Sequence, residues 1–246
     1  MIRDITLTVR TITPLHIGTG RKLVKDFDFL TKNGRTYRIR EEGLIDELYA
    51  RDPKLTEQLM RTPPGRLLKP EDLTSGSPFI RYVLPGVPVS NEFREQLKDA
   101  HDCPYLPGSS LKGALRTVLA WHGWKEKELR LSTFLSEWRS RRTRNKYAAS
   151  FIEKRIFGPD THHDFLRALR VADSEPVTRD ALLIENVNVW TKRGAAAPIS
   201  IEAIREGTEF TVPASIDESL FSDWASKAPG FPLSHHDWIA DIPKIA

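Results

Sequence analysis

Polar and apolar positions alternate near both ends of this chain and recur with helical spacing between them. Ile5, Leu7 and Val9 alternate with Thr6, Thr8 and Arg10, the period of a strand with one buried face. Phe210, Val212, Ala214 and Ile216 repeat that period after a Glu206-Gly207 turn. Phe27 and Phe29 alternate with Asp26 and Asp28 ahead of Asn33-Gly34, and Tyr37 and Ile39 return beyond it, which predicts a hairpin. Further strands are predicted from Phe79 to Leu84, along Leu183, Val187 and Val189, and from Ile199 and Ile201. The stretch from His162 to Ser174 reads as a strand that turns at Asp173.

Helical spacing is equally local. Leu44, Ile45 and Leu48 form one stripe. Asp52-Pro53 starts a second helix carrying Leu55, Leu59 and Met60, which Pro63-Pro64-Gly65 ends. A short helix is predicted from Asn91 to Lys98, and a longer one through Leu111, Leu115, Val118 and Leu119. Trp121, Trp124 and Trp138 bracket a charged helix from Lys125 to Glu137 and are predicted to be core. Tyr147, Phe151 and Ile152 then recur up to the stop at Phe157-Gly158-Pro159. The tail with Trp224 and Trp238 reads as a short helix and irregular structure.

Composition narrows this picture. A chain of 246 residues can bury a sizeable core, and no run approaches the ~18 apolar residues of a membrane span. The start, MIRDITLTVRT, has no apolar signal core, so no export signal is predicted. A lone cysteine, Cys103, excludes an internal disulfide framework and a cysteine zinc site, and fits a reducing cytoplasm. The net charge of +4 is mild but unevenly spread. Arg139, Arg141, Arg142, Arg144, Lys146, Lys154 and Arg155 face a single acid, Glu153, whereas acids dominate beyond Glu202. The basic run suits a polyanion, or else a solvated helix. Arginines such as Arg141, Arg142 and Arg144, interleaved with aromatics, can hold phosphates and stack on bases.

The stretch PYLPGSSLKGALRT carries the most chemistry. Pro104 and Pro107 keep its approach extended, and Gly108 permits close backbone approach or a positive φ. Ser109 or Ser110 can cap the helix that follows, and Lys112 and Arg116 lie four apart beside its start. Free N–H groups, the helix dipole and two cations suit a phosphate. An ordinary capped junction with two solvated cations explains the same residues. Earlier, TPLHIGTG brings Gly18 and Gly20 near His16, where backbone can approach a ligand and the imidazole can stack or hydrogen-bond. A third glycine and a following helix are missing, so this is not a dinucleotide fingerprint. Asp26 and Asp28 can be drawn as metal ligands, but a hairpin strand more simply gives them its solvent face. His162 and His163 are adjacent and make a poor metal pair on a strand. No GxxxxGKS/T loop, HExxH, paired CxxC or GxSxG elbow occurs. For a metal-independent ribonuclease the candidate acids and bases are His16, His162 and His163.

At PYLPGSSLKGALRT the chain resembles the RAMP superfamily of CRISPR effector proteins. The resemblance extends to TPLHIGTG, Phe157-Gly158, LRVADS from Leu169 to Ser174, and PISIEAI with GTEF from Pro198 to Phe210. Within the superfamily it is most similar to the subunits that cap the crRNA 3′ side of type III-A (Csm) effector complexes. The resemblance implies an α+β fold with a ferredoxin-like (RRM-like) core. It implies one domain over 1–246 with an arm at about 63–103, a basic helical insertion at about 121–158, and the family's glycine-rich C-terminal part absent. Carried over by position, His16, Gly18, Gly108, Ser109, Ser110, Lys112 and Arg116 would meet RNA through sugar and phosphate. No cofactor, no membrane and no catalysis are implied. The expected partners are crRNA, target RNA, the other Csm subunits (above all the adjacent RAMP backbone subunit) and an accessory trimming nuclease. Two alternatives stay open: a guide-processing endoribonuclease, and a target-cleaving backbone subunit using an aspartate such as Asp26 or Asp28.

Overall fold

In the computed structural model, residues 1–140, 150–192 and 194–242 are described. They mix helices with several sheets, an α+β fold. The chain divides into two compact units that it enters and leaves repeatedly. One is built from Met1–Val9, Leu106–Glu175 and Thr211–Ala246, the other from Arg10–Tyr105 and Pro176–Phe210.

In the first unit, strands β1 (Ile2–Arg10), β12 (Glu209–Asp217) and β7 (Leu169–Val171) form one sheet in the order β1-β12-β7. The alternation read from the sequence sets its faces: Val212, Ala214 and Ile216 are buried, and Ile5, Leu7 and Val9 are half-buried between exposed neighbours. Helix α3 (Gly108–Glu126) packs Leu115 and Leu119 into a core with Ile156, Phe157, Phe165, Leu169, Ile216 and Trp238. Each such large side chain contributes about 1.5–3 kcal/mol on burial. Gly123 lets α3 come close, because a Cβ there would lie 2.7 Å from Trp238 Cη2 and 2.8 Å from Ile156 Cγ2. Helices α4 (Leu131–Ser140), α5 (Ser150–Phe157) and α6 (His236–Ala240) complete this unit.

Among the described residues the second unit holds two larger sheets and a two-stranded one. Strands β2 (Gly18–Val24), β6 (Glu92–Gln96), β11 (Ile199–Ile204) and β8 (Leu182–Val187) are ordered β2-β6-β11-β8. The central pair, β6 and β11, is parallel, while β2 and β8 flank it antiparallel. A ferredoxin-like sheet has that pairing pattern, entered here by the chain in another order. Strands β3 (Phe29–Lys32), β4 (Arg35–Ile39) and β5 (Ile80–Pro85) make the other larger sheet. Its first turn has φ of 50° at Asn33 and 74° at Gly34, the positive pair that a two-residue hairpin demands. Helices α1 (Leu44–Arg51) and α2 (Pro53–Gln58) follow, with Leu44, Leu48, Ile39 and Phe79 in one cluster and Asp52 capping α2 through the Lys54 N–H. Strands β9 (Trp190–Thr191) and β10 (Gly194–Ala195) pair antiparallel.

Several expectations are corrected. Asn91 to Lys98 contains strand β6, not a helix; its backbone is satisfied by β2 and β11 on either side, which overrides local propensity. Asp26 and Asp28 sit in the turn before β3, with Asp26 at φ 66°, not on a strand face. The inward face of β8 is Leu182 and Ile184, one residue out of register with the predicted one. The charged helix does not run from Lys125 to Glu137, because α3 ends at Glu126 and α4 begins at Leu131. The stretch after His162 makes a 3-10 turn over Phe165–Ala168 before the short β7. Trp121 was expected in the core and is 61% exposed, whereas Trp238 is fully buried. Residues 141–149, including Tyr147 and the arginines Arg141, Arg142 and Arg144, lie outside the described residues. No helix among the described residues is long and apolar enough to cross a membrane.

Candidate nucleic-acid interface

Helix α3 begins without the serine cap that the sequence suggested. Pro107 occupies the cap position, and no side chain within the segment caps the helix. Asp173 does this from the loop after β7: its Oδ1 accepts the Gly108 N–H at 2.8 Å. Ser174 adds a clasp, its Oγ accepting the Leu106 N–H at 2.9 Å and its own N–H donating to the Leu106 carbonyl at 2.9 Å. The segments PGSS and VADS are therefore one built feature. Gly108 serves it, since a Cβ would fall 2.2 Å from the Val171 carbonyl oxygen and 2.6 Å from that of Ala172. The close approach expected at this glycine is made to the protein's own backbone.

Relieved of capping, Ser109 and Ser110 are exposed, and the first turn of α3 carries no acid. Lys112 is half-buried and donates from Nζ to the Leu169 carbonyl at 2.7 Å. Burial lowers its pKa, against the opposing pull of Asp164. Two further protons of that ammonium remain for an acceptor. Arg116 is committed within the unit: Nη1 donates to Asp164 Oδ2 at 2.6 Å, and the guanidinium stacks 3.8 Å from the Phe157 ring centre. Chemically, this helix start offers an anion an ammonium and two exposed hydroxyls that have no partner among the described residues, while Asp173 already holds the Gly108 N–H at the positive end of the helix.

The earlier loop lies in the other unit and is pinned along its length. Leu15 and Ile204 exchange backbone hydrogen bonds at 2.9 and 2.7 Å. The His16 Nδ1 lies 2.7 Å from the Glu202 carbonyl oxygen, and the Ile17 N–H donates to Gln96 Oε1 at 2.9 Å. Beneath this loop is a polar cluster that sequence reasoning missed. The Glu202 carboxylate is wholly buried and accepts from Lys98 Nζ at 2.6 Å, the Tyr82 hydroxyl at 3.0 Å and the Gln96 N–H at 3.1 Å. Burial drives the Tyr82 pKa far upward, with the Glu202 charge adding to it, so the phenol stays a donor. One signal was available: a glutamate between Ile201 and Ala203 on a strand, at a position sharing a face with Ser200 and Ile204.

The other candidates have structural occupations. Asp28 accepts the Val24 N–H at 2.6 Å and pairs with Arg21 at 3.0 Å, while Asp26 pairs with Arg66 at 3.2 Å. His163 bridges Asp160 and the Pro229 carbonyl. His16 belongs to one unit, His162 and His163 to the other. Among the described residues no three His, Cys, Asp or Glu side chains gather as a metal cage.

The RAMP superfamily profile matches residues 8–228, nearly the whole chain. The chain belongs to the RAMP superfamily. This RAMP chain is 25% identical over 265 aligned residues to a protein of Streptococcus thermophilus named CRISPR system Cms protein Csm5, covering 93% of itself and 70% of that protein. The protein of the same name from Methanocaldococcus jannaschii is 22% identical over 236 residues, with 90% of this chain and 55% of that one covered. Among solved structures, the crystal structure of T. onnurineus Csm5 superposes with a TM-score of 0.67 at 25% identity, covering 86% of this RAMP chain and 68% of that one. A chain in the cryo-EM structure of a type III-A Csm-crRNA-target RNA ternary complex shares the fold, at a TM-score of 0.67 and 24% identity over 92% and 67% of the two chains.

Proposed function

We propose that this RAMP protein is a non-catalytic RNA-binding subunit of a type III-A Csm effector complex. It holds the 3′ side of the crRNA and caps the backbone filament beside an adjacent RAMP subunit, with target RNA and an accessory trimming nuclease as further partners. The observation that carries the reading is the superfamily match over residues 8–228 together with relatives named Csm5. The geometry at α3 supports it, because Ser109, Ser110 and the spare protons of Lys112 suit phosphate oxygens, while His16 and Gly18 present a pinned loop. Arg141, Arg142 and Arg144 would add charge. Arg116 acts first as a strut under this surface. A non-catalytic role is favoured because Asp26 and Asp28 already serve arginines.

The test is RNA binding by fluorescence anisotropy across a salt series, with the triple variant Ser109→Ala, Ser110→Ala, Lys112→Ala beside the parent. Affinity should fall, and the log–log salt slope should shallow by about 0.7 for the lost phosphate contact. Unchanged binding and unchanged assembly with neighbouring subunits would refute the interface. Site-specific cleavage of bound RNA by the parent, lost in Asp28→Asn with Mg²⁺ or in His16→Ala with EDTA, would refute the non-catalytic reading.

A further inference from the structure

We infer that His16 reads the ribose of the bound strand, accepting a hydrogen bond from a 2′-hydroxyl through Nε2. The inference rests on the RNA-binding role proposed above and gives His16 a chemistry different from that of Ser109 and Lys112. Its first support is the partner of the other ring nitrogen. A carbonyl oxygen only accepts, so the Nδ1 lying 2.7 Å from the Glu202 carbonyl carries a proton and donates it. In the neutral ring the lone pair is then on Nε2. That nitrogen has no hydrogen-bond partner among the described residues and belongs to a partly exposed side chain.

The second support is rigidity. The carbonyl that fixes the tautomer belongs to Glu202, whose side chain is wholly buried and held by Lys98, Tyr82 and the Gln96 N–H. Gln96 also holds the Ile17 N–H, so the Nδ1 side of the imidazole and the backbone that follows it are tethered to one buried cluster. Ring orientation is therefore set before any ligand arrives. The third support is Gly18. A Cβ there would lie 2.9 Å from His16 Nε2, so the missing side chain makes room for that nitrogen.

A fixed acceptor discriminates among the groups RNA displays. Phosphodiester oxygens only accept and cannot pair with a bare lone pair. Donors on RNA are base N–H groups, which differ between nucleotides, and the 2′-hydroxyl, which every ribonucleotide carries. A site that holds a guide without reading its sequence needs the second kind. The 2′-hydroxyl is also what separates RNA from DNA.

The experiment compares a single-stranded RNA oligonucleotide with its all-2′-deoxy and all-2′-O-methyl forms, using the parent protein and His16→Asn. Asparagine keeps a donor at the Nδ1 position, which preserves the tether to Glu202, and deletes the acceptor. The parent should prefer RNA over both analogues. His16→Asn should lower that preference by about 2- to 10-fold, the worth of one neutral hydrogen bond, with thermal stability unchanged. His16→Gln, which can offer an amide oxygen near the Nε2 position, should retain part of the preference. An RNA-to-DNA ratio equal in parent and His16→Asn, with RNA affinity reduced in the variant, overturns the inference and leaves the RNA-binding role standing. Failure of the parent to bind any RNA overturns both.

Discussion

Replacing Lys98 with methionine keeps most of the unbranched side chain and removes its charge. The ammonium lies 2.6 Å from Glu202 Oε2, with the Lys98 side chain 5% exposed and that of Glu202 fully buried. A second carboxylate, Glu95, is 3.7 Å away. Deleting one member of a buried pair costs about 3–5 kcal/mol, because the remaining charge stays desolvated without its counter-charge. The Tyr82 hydroxyl and the Gln96 N–H continue to donate to Glu202, which points to the lower end, about 3 kcal/mol. With a urea dependence of about 2 kcal/mol per molar, the unfolding midpoint should fall by about 1.5 M, read by circular dichroism. The double variant Lys98→Met, Glu202→Gln no longer strands a charge and should recover much of the loss. A single variant losing less than about 1 kcal/mol would refute the account, placing the pair among weak surface contacts. So would a double variant no more stable than the single.

Two further outcomes follow from neighbouring geometry. Arg116→Ala removes a charged hydrogen bond and a stacked ring contact from a partly exposed site, so it should lower stability by about 1–2 kcal/mol in thermal unfolding, whereas Arg116→Lys should keep some of the Asp164 pairing. Parent-like melting of the alanine variant would show that Arg116 is free for RNA. His163 has an acceptor at each ring nitrogen, Asp160 at 2.8 Å and the Pro229 carbonyl at 3.1 Å. The Pro229 carbonyl, then Asp160, raise its pKa, and the bond from His163 lowers that of Asp160. The histidine contribution is thus complete below the ordinary value of about 6.5 and disappears as pH rises through the raised folded value. The Asp160 contribution is complete above about 3.9 and disappears as pH falls through the lowered folded value. Melting temperature against pH should peak between these limits, and His163→Gln should flatten the alkaline flank.

Much of this was legible where side-chain period alone decides structure. The alternations in β1 and β12, the Asn33-Gly34 hairpin and the Asp52-Pro53 helix start appear where the pattern put them. Residue choice misleads where tertiary pairing decides. Glu92–Gln96 becomes a strand because β2 and β11 stand on either side of it, a fact spread over more than a hundred residues of sequence. At the site, PGSSLKGALRT and TPLHIGTG were visible as chemistry, but their internal supports were not. Nothing local to Gly108 announces that Asp173 caps it, or that Arg116 is already paired with Asp164. The Glu202 cluster was hidden for the same reason: its members come from β5, β6 and β11 and the link after β6, distant in the chain and joined only by burial.

The repeated passage of the chain between its two units bears on how the molecule is made. Strand β6 is complete by Gln96, yet its parallel neighbour β11 begins only at Ile199. During synthesis, at about 5–20 residues per second, one edge of β6 therefore stays open for several seconds while the whole of Leu106–Glu175 emerges. An unpaired strand edge is a template for wrong partners, and non-local parallel pairing closes slowly. The charged and polar residues Glu92, Arg94 and Glu95 along β6 suit that interval, because they keep the waiting edge soluble until its neighbour arrives.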